Sequence, residues 1–222
     1  MRRRSIVVSI AALSMVGLLS SQAMAVTNYQ ISERTGRFLT LSTNSLFPGV
    51  ADDQVVKLST SLSGARRMPF PVRFYGAMRS SMWVSTNGNV QFGTSASPSF
   101  SNDCLPSSNI PGKLVAVFWD DLYVNTANPG QGVFTLTQGV APNRRFTISW
   151  QVVRFDNQGD TVLAQLTFFE NSNTIKMVYG KSEGASATIG VQLSRTTQWK
   201  QFACNTGTNN TLFNGLRVDF IR

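Results

Sequence analysis

Apolar and polar residues alternate with a period of two along much of this chain, and past residue 25 no window of a dozen residues places apolar side chains at i, i+3, i+4 and i+7. Successive side chains of a strand point to opposite faces. In residues 145–152, Phe146, Ile148, Trp150 and Val152 are therefore expected to share a core face, and Arg145, Thr147, Ser149 and Gln151 a wet one. The pattern recurs at Phe134 and Leu136, at Ile175, Met177 and Tyr179, at Ala187, Ile189, Val191 and Leu193, and at Leu216, Val218 and Phe220. Turn formers separate these runs at 139–143, 170–173 and 180–184. Short strands at such spacing predict an all-β, antiparallel β-sandwich.

Asn87-Gly88, between Trp83 and Phe92, predicts a hairpin with a type I′ turn, because the two residues tolerate the two positive φ angles that turn needs. The alternating run 68–75 contains Pro69 and Pro71, which lack N–H donors on the same side of the chain, so it predicts a sheet edge. Residues 114–119 are continuously apolar and fit a central strand buried on both faces, ended by Asp120-Asp121. Residues 94–112, rich in Ser, Asn and Pro, form a long loop carrying Cys104.

The first 25 residues have the layout of a secretory signal peptide: Arg2, Arg3 and Arg4, an apolar stretch from Ile6 to Leu19, then Ala23-Met24-Ala25. A twin-arginine signal is a weaker fit to the same start. Cleavage after Ala25 leaves residues 26–222 as a single β-sandwich domain, secreted or periplasmic, with no second apolar segment long enough to span a membrane. Of the formal +9, Arg2, Arg3 and Arg4 supply three; the remaining basic residues are dispersed, which gives no sign of a nucleic-acid-binding arm.

Two cysteines in an exported chain are expected to pair, Cys104 with Cys204, closing a loop of 100 residues; two buried free thiols are the alternative. The absence of histidine removes Ser-His and Cys-His nucleophile activation and most zinc and copper sites. Glycoside hydrolysis needs only two carboxyl groups, yet no alternating acid cluster sets two or three on one strand face. The chain is therefore expected not to be an enzyme and to need no cofactor.

Asp120-Asp121 and Asp52-Asp53 could contribute oxygens to calcium. Neighbouring strand side chains diverge, however, so acceptance of loop N–H bonds at a strand end is the favoured role of Asp120 and Asp121. Among Trp83, Trp119, Trp150 and Trp199, the second and third lie in apolar strand faces. Trp199 has polar neighbours and is the candidate for an exposed, sugar-stacking ring. The only Asn-x-Ser/Thr site, at Asn209, decides nothing.

The ordered series 69–76 (Pro-Phe-Pro-Val-Arg-Phe-Tyr-Gly), 84–92, Cys104-Leu-Pro106, Phe118-Trp-Asp-Asp-Leu122, 141–146, Tyr179-Gly180, 187–192 and Cys204-Asn205 resembles a secreted bacterial β-sandwich module that is distantly similar to the nidogen-type extracellular domain. The resemblance implies an extracytoplasmic sandwich with its two cysteines paired and no catalytic residues to transfer. Related copies often carry two further cysteines flanking an Asp-Asp near the start, where this chain has Ala51 and Gln54.

The expected function is that of a secreted or envelope-associated binding, adhesion or structural module that presents loops to a macromolecular partner, protein or glycan. Trp199, Asp120 and Asp121 are the candidate contacts. A carbohydrate-binding module is the alternative, and a β-sandwich glycoside hydrolase a more distant one.

Overall fold

Alternating β-branched and aromatic residues give the computed structural model fifteen strands and one short 3-10 turn at Gly64–Arg66, with no α-helix among the described residues. The described residues are 28–180, 182, 186–206 and 214–222. The expected signal peptide, Glu183, most of the 180–184 turn and the Asn209 site lie outside them.

In chain order the strands are β1 (Gln30–Thr35), β2 (Val55–Ser59), β3 (Val72–Phe74), β4 (Ala77–Arg79), β5 (Ser81–Ser85), β6 (Asn89–Phe92), β7 (Lys113–Trp119), β8 (Leu122–Tyr123), β9 (Gly132–Gln138), β10 (Arg145–Arg154), β11 (Thr161–Phe169), β12 (Ile175–Tyr179), β13 (Thr188–Gln192), β14 (Trp199–Cys204) and β15 (Leu216–Ile221). One sheet has the order β1-β15-β12-β11-β10-β8, with β9 beside β8 along the rest of β10. The second has the order β14-β13-β7-β6-β5-β2, and β3 and β4 form a separate hairpin. All these pairings are antiparallel.

The inner faces make the main core. The β10–β11 register sets Phe146, Ile148, Trp150 and Val152 opposite Phe168, Leu166, Ala164 and Val162, and all eight are buried. Val115, Val117 and Phe118 of β7, with Val84 and Val90 of β5 and β6, complete the same cluster.

The outer face of β10 departs from expectation: Thr147, Ser149 and Gln151 are buried rather than wet. The extended chain at residues 39–41 crosses this face and is held by glutamines. The Gln165 side chain accepts the N–H of Leu39 at 3.1 Å and donates to its carbonyl at 2.6 Å. Gln151 does the same for Leu41, at 2.6 and 2.8 Å. Polar residues on this face hydrogen-bond another stretch of backbone instead of water, which local alternation cannot disclose.

The loop 94–112 covers the outer face of the second sheet in a similar way. Leu114, Ala116 and Trp119 point outward from β7 and pack with Leu105 and Ile110 in a smaller, separate core. Gln192 accepts the N–H of Ser107 and donates to the carbonyls of Ile110 and Gly112, while Gln201 accepts the N–H of Leu105 and Gln91 brackets Ser97. The disulfide Cys104–Cys204 pins this loop to β14 with the Cα atoms 5.5 Å apart. β7 is thus central and buried on both faces, as its apolar run predicts.

The β5–β6 hairpin forms, but its turn is not type I′. Val84 lies opposite Val90, and of Asn87 and Gly88 only the glycine has a positive φ, +68°. The type I′ signature falls instead at Tyr75 (φ +47°) and Gly76 (φ +81°), which join β3 to β4 with Phe74 opposite Ala77. Asn87 is wholly buried and engaged elsewhere, so it is not free to be an exposed turn tip. The run after Pro69 and Pro71 meets the edge expectation in a restricted form, since β3 pairs with β4 alone.

Candidate functional site

Three loops that follow or precede strand ends converge at the β8 end of the sandwich: residues 50–54 before β2, Asp120 and Asp121 between β7 and β8, and residues 155–160 between β10 and β11. Backbone bonds tie them together. Ala51 and Val124 exchange N–H···O bonds of 3.0 and 2.9 Å, and the N–H of Phe155 reaches the carbonyl of Asp121 at 3.0 Å.

Carboxylate oxygens of Asp52, Asp53 and Asp121 all lie within 4.8 Å of one another. The two Asp-Asp pairs of the sequence are therefore split and recombined. Asp121 joins Asp52 and Asp53, while Asp120 turns inward, is buried, accepts a 2.7 Å bond from the Ser186 hydroxyl and lies 3.6 Å from the Arg154 guanidinium. Asp120 also accepts the N–H of Asp121 at 3.0 Å, the loop N–H bond expected of it. The carboxylate of Asp121 has no such bond among the described residues, so the role expected of it is not met.

These segments contain no cation of their own; Arg154, the last residue of β10, adjoins them and is also bound to Asp156 at 3.0 Å. Six of the eleven acidic residues of a net basic chain, Asp52, Asp53, Asp120, Asp121, Asp156 and Asp160, thus gather at this corner, and three of them, Asp120, Asp156 and Asp160, act on the Arg154 guanidinium. Burial, then the charges of Asp52, Asp53, Asp120 and Asp156, push the Asp121 carboxyl up to about 6. Burial and then Asp53 also raise Asp52, one of whose oxygens is buried with no hydrogen-bond partner. The hydrogen bond from Arg154 holds Asp156 below the ordinary carboxylate range. Apolar side chains border the acids: Val50 and Phe155 are exposed, and the Phe155 ring meets Tyr123 edge-on at 6.1 Å.

Two residues that sequence reasoning did not single out organise this corner. Asn87 donates to Asp53 at 2.8 Å and to the Pro98 carbonyl at 2.9 Å, and accepts the N–H of Leu122 at 2.9 Å. One amide thereby fixes the acidic loop, the 94–112 loop and the start of β8. Arg154 gathers Asp120 and Asp156. In the sequence Asn87 reads as turn chemistry and Arg154 as one of the dispersed basic residues, so neither gives a signal.

Chemically, the carboxylate trio offers three ligand atoms where calcium takes six to eight. Trp199 lies far from the corner, at the start of edge strand β14, with its side chain 38% exposed and its carbonyl accepting from Asn28. Trp119 and Trp150 are fully buried, as their strand faces predict.

No helix among the described residues is long and apolar enough to cross a membrane. No curated protein and no solved structure matched the chain. Residues 28–215 match the family model described as NIDO related, the disulfide-linked, two-sheet region set out above. That match covers well over half of the sequence, and the chain belongs to the NIDO related family.

Proposed function

We propose that the protein is a secreted or envelope-associated, non-catalytic module that engages a macromolecular partner, protein or glycan, through its loops, with the acidic corner as the principal contact. In this reading residues 1–25 are a removed signal peptide and 26–222 a single domain. The observation that carries it is the convergence of six aspartates from three separate loops beside exposed Val50 and Phe155. Mutual repulsion makes such a gathering costly for the isolated chain, as the raised Asp121 carboxyl expresses, and a partner supplying positive charge would relieve it. Membership of the NIDO related family supports a non-catalytic extracellular module, and the disulfide is consistent with an oxidising extracellular or periplasmic location.

Capture from envelope extract tests it, with the wild-type protein compared against Phe155→Ser/Asp156→Asn after circular dichroism has checked both folds. A species held by the wild type and lost by the variant supports the reading. Recovery of nothing above background, or equal recovery by both, overturns it. The exposed ring of Trp199 favours carbohydrate binding as a second reading. A glycan array in which a signal appears and then vanishes with Trp199→Ala would select that alternative.

A further inference from the structure

The outer face of the seven-stranded sheet carries the opposite charge. On β1 and β15, Arg34 stands directly opposite Arg217, and Asp219, two residues along the same face, stands opposite Lys176 of β12. Lys176 is in turn aligned with Thr167 of β11 and, through it, with Thr147 of β10, and Arg145 lies two residues from Thr147 on the same side. The four cations therefore form a diagonal band across five strands, spanning roughly 20 to 25 Å at ~4.8 Å per strand and ~3.3 Å per residue.

The one carboxylate in the band is Asp219, buried and held by Arg217 at 2.7 Å with Arg34 at 3.6 Å. Arg34, Arg145, Lys176 and Arg217 against that single acid leave a formal +3. Arg145 and Arg34 are exposed, and Lys176 lies over the Phe169 ring at 5.7 Å. Burial and the neighbouring Arg217 and Arg145 depress the Lys176 ammonium, so the band, like the corner, is crowded with one sign of charge.

Strand β10 runs from Arg145 in the band to Arg154 in the corner. Its ten residues extend about 30 Å, several times the Debye length of ~8 Å at physiological salt, so the two patches of one molecule do not neutralise each other. The corner segments hold six carboxylates against the one guanidinium of the adjoining Arg154, a formal −5. Each patch thus has its complement on the same chain, at the far end of one strand, out of its own reach.

We infer that the protein associates with itself head to tail, the acidic corner of one copy resting on the basic band of the next. The occupant is a second copy of this chain because the charge complementary to each patch is on the chain itself. The contact is heterologous, since the two surfaces differ, and such contacts propagate into open filaments or close into rings. The inference rests on the corner being a contact surface, as proposed above, and adds the identity of a partner.

Sedimentation velocity of the purified protein tests it. At about 20 mM salt and roughly 0.1 mM protein the wild type is expected to sediment as a concentration-dependent mixture of monomer and higher species, reverting to monomer by about 0.3 M salt. Arg34→Gln/Arg145→Gln/Lys176→Gln neutralises the band while leaving Arg217 to hold Asp219, and Asp121→Asn/Asp156→Asn/Asp160→Asn weakens the corner. Each should weaken association at least tenfold alone, and an equimolar mixture of the two should form a dimer and stop there, because one intact surface remains on each. Arg66→Gln/Arg67→Gln/Arg195→Gln removes the same charge from exposed sites elsewhere and should associate like the wild type. A wild type that stays monomeric, a mixture that does not pair, or a control as weak as the band variant would overturn the inference. If the wild type is monomeric yet corner-dependent capture from envelope extract persists, the self-association fails while the corner remains a binding surface.

Discussion

Gln165 and Leu39, 126 residues apart, are joined by a reciprocal pair of hydrogen bonds in which the glutamine amide stands where the peptide of a neighbouring strand would. Gln165→Leu keeps the bulk but leaves the N–H and C=O of Leu39 without partners under cover. A loss of about 2 to 3 kcal/mol is expected in urea unfolding, since stranding a buried polar group costs about 1 to 3 kcal/mol each and solvent entry recovers part of it. Gln165→Glu retains an acceptor for the Leu39 N–H and loses the donor to its carbonyl. It should be destabilised as well, most clearly above the range where the new carboxyl titrates.

Gly88 occupies the tightest backbone approach in the hairpin. Its φ is +68°, its carbonyl accepts the N–H groups of both Val117 and Phe118, and an added Cβ would lie 1.9 Å from the Phe118 carbonyl oxygen. Gly88→Ala therefore forces β6 and β7 apart in the centre of the sheet. A loss above about 3 kcal/mol, seen as poor soluble yield or a large fall in Tm, is the expected outcome. Gly112→Ala, where nothing lies within 4 Å of the added carbon, should leave Tm nearly unchanged.

The strands were legible because side-chain alternation is local: Phe146, Ile148, Trp150 and Val152 declare their common face without reference to anything else in the chain. Residues 114–119 could likewise be placed in mid-sheet from their unbroken apolarity. What covers a face is a long-range matter. Gln151 looks solvated in sequence, and only the path of residues 39–41 makes it, and Gln165 beside it, interior. The acidic corner was half legible for the same reason. Asp52-Asp53 and Asp120-Asp121 stand out as pairs, but the pairing that matters crosses between them, and the group that brings Asp53 to β8 is Asn87, whose neighbour Gly88 suggests a turn.

The disulfide bears on one loop more than on the sandwich as a whole. Cys104 lies in residues 94–112, which cover Trp119, and Cys204 ends β14. The covalent loop spans 100 residues, for which the chain-entropy account gives about 4 to 5 kcal/mol. Cys104→Ser/Cys204→Ser should lose about 3 to 5 kcal/mol of stability, and hydrogen exchange should speed up in 94–112 before it does in β10 and β11, which residues 39–41, held by Gln151 and Gln165, still cover. Mass spectrometry after alkylation of the wild-type protein purified without reductant should find no free thiol.

Asp121 contributes a pH dependence opposite in sign to that of an ordinary salt-bridged acid. Its carboxyl titrates near 6 in the folded protein against 3.8 for the free group, because burial and the surrounding aspartates oppose its charge. Between those values the folded state holds a proton that the unfolded chain has released, so this group's contribution to stability declines as pH rises from about 4 to about 6 and stays low above that. The side chain is only partly buried, which reduces the effect of a shift of this size to about 1 kcal/mol. Asp121→Asn removes the repulsion while preserving shape. In buffer containing EDTA, its Tm should exceed the wild-type value at pH 7 to 8, and the two should converge as pH falls to about 4. A variant less stable than wild type at pH 8 would mean that the ionised carboxylate is paired, and that the corner is not held under repulsion.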